Sequence, residues 1–253
     1  MFFDTHAHYD DERYDADREE LFASFQDSGV DLVVNAASSM QCSRDGLKLA
    51  EKYPFLYFAV GVHPHDAKEM DASSIPELRE LSKHPKCVAV GEIGLDYHYN
   101  LSPQDVQKAR FREQMKLARE LDKPVIIHER EAFADVMEVL CDYPGIRGVF
   151  HCFSGDRTAA QRLLDMGWML SFTGVITFKT GKTSLDVAAW VPLDRLMLET
   201  DSPYLAPVPV RGTRNDSRNL AHIAAVLAQA RGITTEELAA ATTANGKKFF
   251  GIK

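Results

Sequence analysis

Residues 106–130 read VQKARFREQMKLARELDKPVIIHER. In the stretch Val106–Lys123 the side chains of Val106, Phe111, Met115, Ala118 and Leu121 fall near one helical face, while Arg, Lys, Gln and Glu cover the other. The run Val125–His128 that follows is short and continuously apolar, as in a strand buried on both faces, and it stops at His128-Glu129-Arg130. Helix, buried strand and polar strand end form one unit, and the unit recurs. Comparable runs are Met1–Phe3, Asp31–Asn35, Leu56–Val62, Val88–Glu92, Gly148–His151, Met169–Thr173 and Leu196–Glu199, which makes eight in all. Helical patterns between or after them include Thr158–Gly167, Asn219–Arg231 and Thr235–Phe250. Alternating strands and helices imply a parallel sheet. Eight such units in 253 residues match a closed (β/α)8 TIM barrel. A doubly wound open sheet is the rival fold, but its GxGxxG turn is missing after the first run. No linker or low-complexity block divides the chain, so one domain over residues 1–253 is expected.

Composition narrows the class. With 45% hydrophobic and 26% charged residues, the chain reads as an ordinary globular protein and not as a disordered or fibrous one. No apolar run approaches the roughly 20 residues of a membrane span, and Met1-Phe2-Phe3-Asp4 has no basic region of a signal peptide. Cys42, Cys87, Cys141 and Cys152 show no CxxC spacing, so reduced thiols and a cytoplasmic location are expected. The net charge of −8 argues against a surface coated in nucleic acid but leaves room for a local phosphate site. No oligomeric state follows from the sequence.

The chemistry lies where the runs end. They lead into Asp4-Thr5-His6-Ala7-His8, His63-Pro64-His65, Glu92-Ile93-Gly94-Leu95-Asp96, His128-Glu129-Arg130, His151-Cys152 and Glu199-Thr200-Asp201. In a (β/α)8 barrel those ends share one rim, where active sites are built. One HxH or one lone histidine is weak evidence, since a strand histidine is commonly a satisfied core residue. The coincidence is informative. His6 and His8, at i and i+2, point to one face of a strand, and Glu92, His128, His151 and Asp201 arrive from other strands at the same relative place. Imidazole and carboxylate suit Zn2+, Mn2+ or a comparable divalent ion. One ion needs three or four of these six groups, so six suggest two cations sharing a carboxylate. His63 and His65 would overfill that set, which leaves substrate contact or support of the ligands. Asp4 is read either as orienting a ligand histidine or as structural, and Asp96 as a loop or supporting group. Cys152, taken as a strand residue, is expected to face away from His151. Arg130 could hold an anionic substrate. Thr180-Gly181-Lys182-Thr183 is no P-loop, because Ile176 stands where the motif requires Gly. The last run is followed by Pro207-Val208-Pro209-Val210-Arg211-Gly212-Thr213-Arg214-Asn215, a basic loop at the recurring phosphate-binding place of this fold, so Arg211 and Arg214 are candidate substrate contacts.

In this order, the motifs Asp4–His8, Gly61–Pro64, Gly91–Asp96, Lys123–His128, His151–Gly155 and Glu199–Tyr204 resemble those of the TatD family of metal-dependent hydrolases. The resemblance implies a (β/α)8 barrel with two divalent cations (Mg2+, Mn2+ or Zn2+) acting on phosphodiester bonds. It implies a deoxyribonuclease with 3′→5′ exonuclease activity and DNA as substrate, using a metal-activated water. His6, His8 and Asp201 would hold one ion and His128 and His151 the other, with Glu92 between them and Asp201 handling the water's proton. His63, Arg130, Arg211 and Arg214 would contact substrate. Thr213 stands where the family usually has Lys, and His128-Glu129-Arg130-Glu131 departs from the commoner His-Ser/Thr-Arg-Asp; both changes bear on substrate recognition. Two rival functions stay open at this point. One is an amidohydrolase, or an esterase acting for instance on aminoacyl-tRNA, on the same barrel. The other is a non-enzymatic, metal-dependent nucleic-acid binding protein, which the acidic balance disfavours.

Overall fold

The apolar runs become strands and the amphipathic stretches become helices in a computed structural model that describes residues Met1–Lys253. The strands are β1 (Phe2–Ala7), β2 (Val30–Asn35), β3 (Leu56–Val60), β4 (Cys87–Asp96), β5 (Val125–Arg130), β6 (Gly148–Phe150), β7 (Met169–Phe172) and β8 (Leu196–Leu198). They lie in one eight-stranded sheet in chain order, the topology of the expected (β/α)8 barrel. The helices are α1 (Arg18–Ala23), α2 (Met40–Lys52), α3 (Ser74–Leu81), α4 (Gln104–Glu120), α5 (Phe133–Cys141), α6 (Arg157–Asp165), α7 (Lys182–Trp190), α8 (Leu220–Arg231) and α9 (Thr235–Phe250). None is long and apolar enough to cross a membrane.

The chain groups into two compact units, Met1–Asn35 with Cys152–Lys253, and Ala36–His151. In the first, β1 pairs with β2 and β7 with β8, all in parallel, and an Ala7–Ser202 bridge joins the end of β1 to the segment after β8. Helix α9 packs on β1 and β8, with the Phe3 and Phe250 rings 5.9 Å apart. A capping box starts α9: Thr234 accepts from Glu237 N while the Glu237 carboxylate accepts from Thr234 N, so two otherwise orphaned donors are satisfied.

In the second unit β3, β4, β5 and β6 pair in parallel, and every residue of β4 is buried. Helix α4 sits on β4, burying Phe111, Met115 and Ala118 as its periodicity predicts. Two glutamines expected on its polar face are buried instead. Gln114 accepts from Val62 N at 2.7 Å and donates to Val62 O at 3.0 Å. Gln107 does the same to Asp96, at 2.9 and 3.1 Å. Each amide copies the donor–acceptor pair of a neighbouring strand, so the ends of β3 and β4 are held without one.

Boundaries differ from the sequence reading where polar residues continue a strand. β4 runs on past Glu92 to Asp96, whereas β6 and β8 stop short of His151 and Glu199. Cys152 therefore does not lie in a strand. It has φ +45° just beyond β6, with Sγ 3.4 Å from Thr173 Oγ1.

Candidate functional site

In the first unit, β1 carries His6 and leads directly into His8. Alternation along the extended chain sends both imidazoles the same way, and their Nε2 atoms lie 3.2 Å apart. Asp201 Oδ1 is 3.7 Å from His6 Nε2 and 3.4 Å from His8 Nε2. Asp201 has φ +56°, a left-handed conformation that Asp tolerates better than most residues. Asp201 N donates to His6 O at 2.9 Å and His8 N to Ser202 O at 2.7 Å, which holds the turn beside β1. Two imidazoles and a carboxylate thus present donor atoms to one point, a set that fits a divalent cation.

Asp4 supports this cluster structurally. Its buried carboxylate accepts from Thr200 N at 2.9 Å, Thr200 Oγ1 at 2.6 Å and Ser217 Oγ at 2.6 Å. It thereby ties β1 to the segment that delivers Asp201 and to the turn before α8. Burial pushes its pKa up to about 7, although the Ser217 and Thr200 hydrogen bonds pull the other way.

In the second unit, Glu92 Oε1 is 2.8 Å from His128 Nδ1 and 2.8 Å from His151 Nε2. The glycines on either side of Glu92 let the backbones come this close. A Cβ at Gly91 would stand 2.6 Å from Ile126 Cβ, and Gly94, at φ +145°, lies against the carbonyl of His128, where a side chain has no room. The other ring nitrogen of His128, Nε2, is 3.1 Å from Asp96 Oδ2, which also lies 2.9 Å from His65 Nε2. Carboxylates thus stand at both ring nitrogens of His128; with a cation on the Glu92 side, Asp96 would hold the proton on Nε2 and leave the Nδ1 lone pair for the metal. Burial opposes ionisation of Asp96, yet the bonds from His128, Tyr99 N and His65 outweigh it and hold the carboxyl well below its ordinary range. Burial likewise disfavours a charged His128, but bonding to Asp96 and Glu92 wins and raises its pKa.

His63 is adjacent but differently wired. Its Nδ1 accepts from His65 N at 3.2 Å, so in the neutral ring Nε2 carries the proton; that atom is 3.5 Å from Glu92 Oε1. Burial and the neighbouring His128 depress its pKa to about 3, so the ring is neutral. In this tautomer the ring offers an N–H on the Glu92 side, while His63, Glu92 and His128 also bring donor atoms within 4.8 Å of one another, a spacing that suits a cation.

The arginines expected to contact substrate have different partners. Arg130, at the end of β5, lies over the Tyr99 ring at 4.7 Å. Arg211 lies over Phe178 at 3.9 Å and donates to Ala206 O, with no carboxylate among these partners. Arg214 makes a bidentate pair with Asp17 at 2.7 and 2.6 Å and donates to Arg13 O. Residue type and spacing alone do not distinguish the roles of Asp96, the two α4 glutamines and Tyr204. Asp96 alone carried a signal, four residues beyond Glu92 at the end of an apolar run.

Comparison with known proteins agrees with this construction. The family model described as TatD related DNase matches residues 3–251. The chain is 41% identical to YabD of Bacillus subtilis, an uncharacterized metal-dependent hydrolase, with 100% of both chains covered. It is 37% identical to the 3′-5′ ssDNA/RNA exonuclease TatD of a Rahnella species, over 95% of this chain and 94% of that one. The crystal structure of YJJV, a TatD homolog from Escherichia coli K12, superposes with a TM-score of 0.93 at 32% identity, covering 100% of this chain and 98% of that one. Motif order, barrel topology and matches over nearly the whole length lead to one conclusion: the chain belongs to the TatD related DNase family of metal-dependent hydrolases.

Proposed function

We propose that the protein hydrolyses phosphodiester bonds of single-stranded nucleic acid, DNA above all, as a 3′→5′ exonuclease. Residues 1–253 would act as one hydrolase domain with two divalent cations, Mg2+, Mn2+ or Zn2+. His6, His8 and Asp201 would hold one cation and His128 and His151 the other, with Glu92 shared. The observation that carries this reading is the convergence of His128 Nδ1 and His151 Nε2 on a single Glu92 oxygen, 2.8 Å from each. The ions would supply Lewis acidity and bring the pKa of a coordinated water from 15.7 towards about 7.

This chain's own side chains have defined tasks. Asp201 orients the attacking water and takes its proton. Asp96 keeps the His128 proton on Nε2, and neutral His63 offers an N–H to a phosphoryl oxygen. Arg130 and Arg211 bind flanking phosphates. Arg214, paired with Asp17, holds the loop that carries Arg211. The relatives support nuclease chemistry through the exonuclease named above.

The test is digestion of 3′- and 5′-labelled single-stranded oligonucleotides by metal-free protein supplemented with each cation in turn. Release of labelled mononucleotide from the 3′ end, restored by metal and abolished by Glu92→Ala, is expected. A metal-replete wild type that releases nothing above a buffer blank would overturn the proposal.

A further inference from the structure

We infer that Tyr204 is a stacking platform for a base of the nucleic-acid substrate, a role that rests on the function proposed above. Tyr204 is a large side chain left 48% exposed, three residues after Asp201. Its backbone is fixed on both sides: Tyr204 N donates to Asp201 O at 2.9 Å and Tyr204 O accepts from Asn215 Nδ2 at 2.7 Å. The ring is braced as well. The Arg13 guanidinium lies over it at 4.4 Å, and the His8 ring approaches edge-on at 6.2 Å and 73°.

Arg13 is held by an acidic neighbour. Asp11 accepts from its backbone N at 2.9 Å, Nε at 2.8 Å and Nη2 at 2.7 Å, which fixes and neutralises the guanidinium. A charge-paired guanidinium over one face of an exposed tyrosine backs the ring. The residue keeps 48% of its surface exposed, room for a flat apolar partner.

What that partner is follows from position and charge. Tyr204 neighbours His8 and follows Asp201, two of the proposed cation ligands, so its partner belongs to the molecule being cleaved. In a chain of net charge −8, long-range attraction contributes little to holding a polyanion, so contacts with the bases add to what the local arginines supply. Base–aromatic stacking contributes about 1–3 kcal/mol per base and tolerates any sequence, because every base has a π face. Tyr204 would therefore seat a nucleobase next to the scissile phosphate and favour single strands, whose bases are free to leave their own stack.

The test compares an oligonucleotide with its counterpart carrying abasic (tetrahydrofuran) residues at the two 3′-terminal positions. Two readouts are used with metal-replete protein: kcat/KM on phosphodiester forms, and Kd by fluorescence anisotropy on hydrolysis-resistant phosphorothioate forms. The expected wild-type preference for the base-bearing strand is about tenfold or more in each. Tyr204→Ala should bring that ratio close to one, while Tyr204→Phe and Tyr204→Trp retain it. A structural role would lower both strands equally and leave the ratio intact. An unchanged ratio in Tyr204→Ala, or no wild-type preference, overturns the platform while leaving hydrolysis standing. Base-dependent binding without any cleavage would instead overturn the proposed reaction and keep the platform.

Discussion

Asp96 Oδ2 lies 3.1 Å from Nε2 of His128, while the opposite ring nitrogen of the same histidine is 2.8 Å from Glu92 Oε1. Both carboxylates come from β4, so one strand supplies a partner to each ring nitrogen of an imidazole delivered by the next; in the proposed centre Asp96 would keep the proton on Nε2 and leave Nδ1 for the cation. Asp96→Asn keeps the shape but removes the charge that holds the proton on Nε2. Cation affinity is expected to fall about 10–100-fold, the usual cost of losing such a partner. Competition of the protein with a chromophoric chelator for Mn2+ or Zn2+ measures this; wild-type affinity in a folded variant would refute the assignment.

Gln114 partners both polar backbone groups of Val62. Truncation in Gln114→Ala leaves a buried N–H and a buried C=O unmatched, at a cost of about 2–4 kcal/mol. Urea unfolding followed by circular dichroism should show the lowered midpoint with an unchanged slope. A loss under about 0.5 kcal/mol would mean that water replaces the amide.

The basic loop after β8 contains two arginines in different states. Arg211 has no carboxylate among its recorded contacts, whereas Arg214 is neutralised by Asp17. If Arg211 contacts phosphate, Arg211→Ala should reduce the slope of log Kd for single-stranded DNA against log salt by about 0.7. Arg214→Ala should change that slope little and lower thermal stability instead. Equal slope changes for the two variants would contradict the division of labour.

The thiols differ in the same testable way. Cys141 is exposed, while Cys87 is buried, with its pKa pushed up to about 11 by that burial. At pH 8 the folded protein should be alkylated at Cys141 within minutes and at Cys87 only after denaturant is added, as peptide mass mapping would reveal. Comparable labelling of both in the native state would show that the interior around β4 opens readily.

The strand ends were legible because the signal is local: a buried run followed by His, Glu or Asp can be read within a few residues, as at Val125–His128. Spacing of i, i+2 was enough to place His6 and His8 on one face. What stayed hidden depends on partners distant in the chain. Gln114 meets Val62 across 52 positions, and Arg214 meets Asp17 across 197, so neither burial of the amide nor neutralisation of the guanidinium could be anticipated. The two readings left for His63 narrow for a related reason. Its proton is placed by the backbone N–H of His65, a bond that depends on the turn following β3 and not on residue type. Tyr204 lay inside a quoted motif, yet its significance comes from Arg13, which approaches from the segment after β1.

The central claim is that these imidazoles and carboxylates hold cations, and anomalous diffraction from crystals grown with Mn2+ tests it most directly. Two anomalous peaks are predicted, one bonded to Nε2 of His6 and His8 and to Asp201, the other to Nδ1 of His128 and Nε2 of His151, with Glu92 reaching both. Absence of any peak at these atoms, or a peak ligated by Nε2 of His63 in their place, would contradict the account.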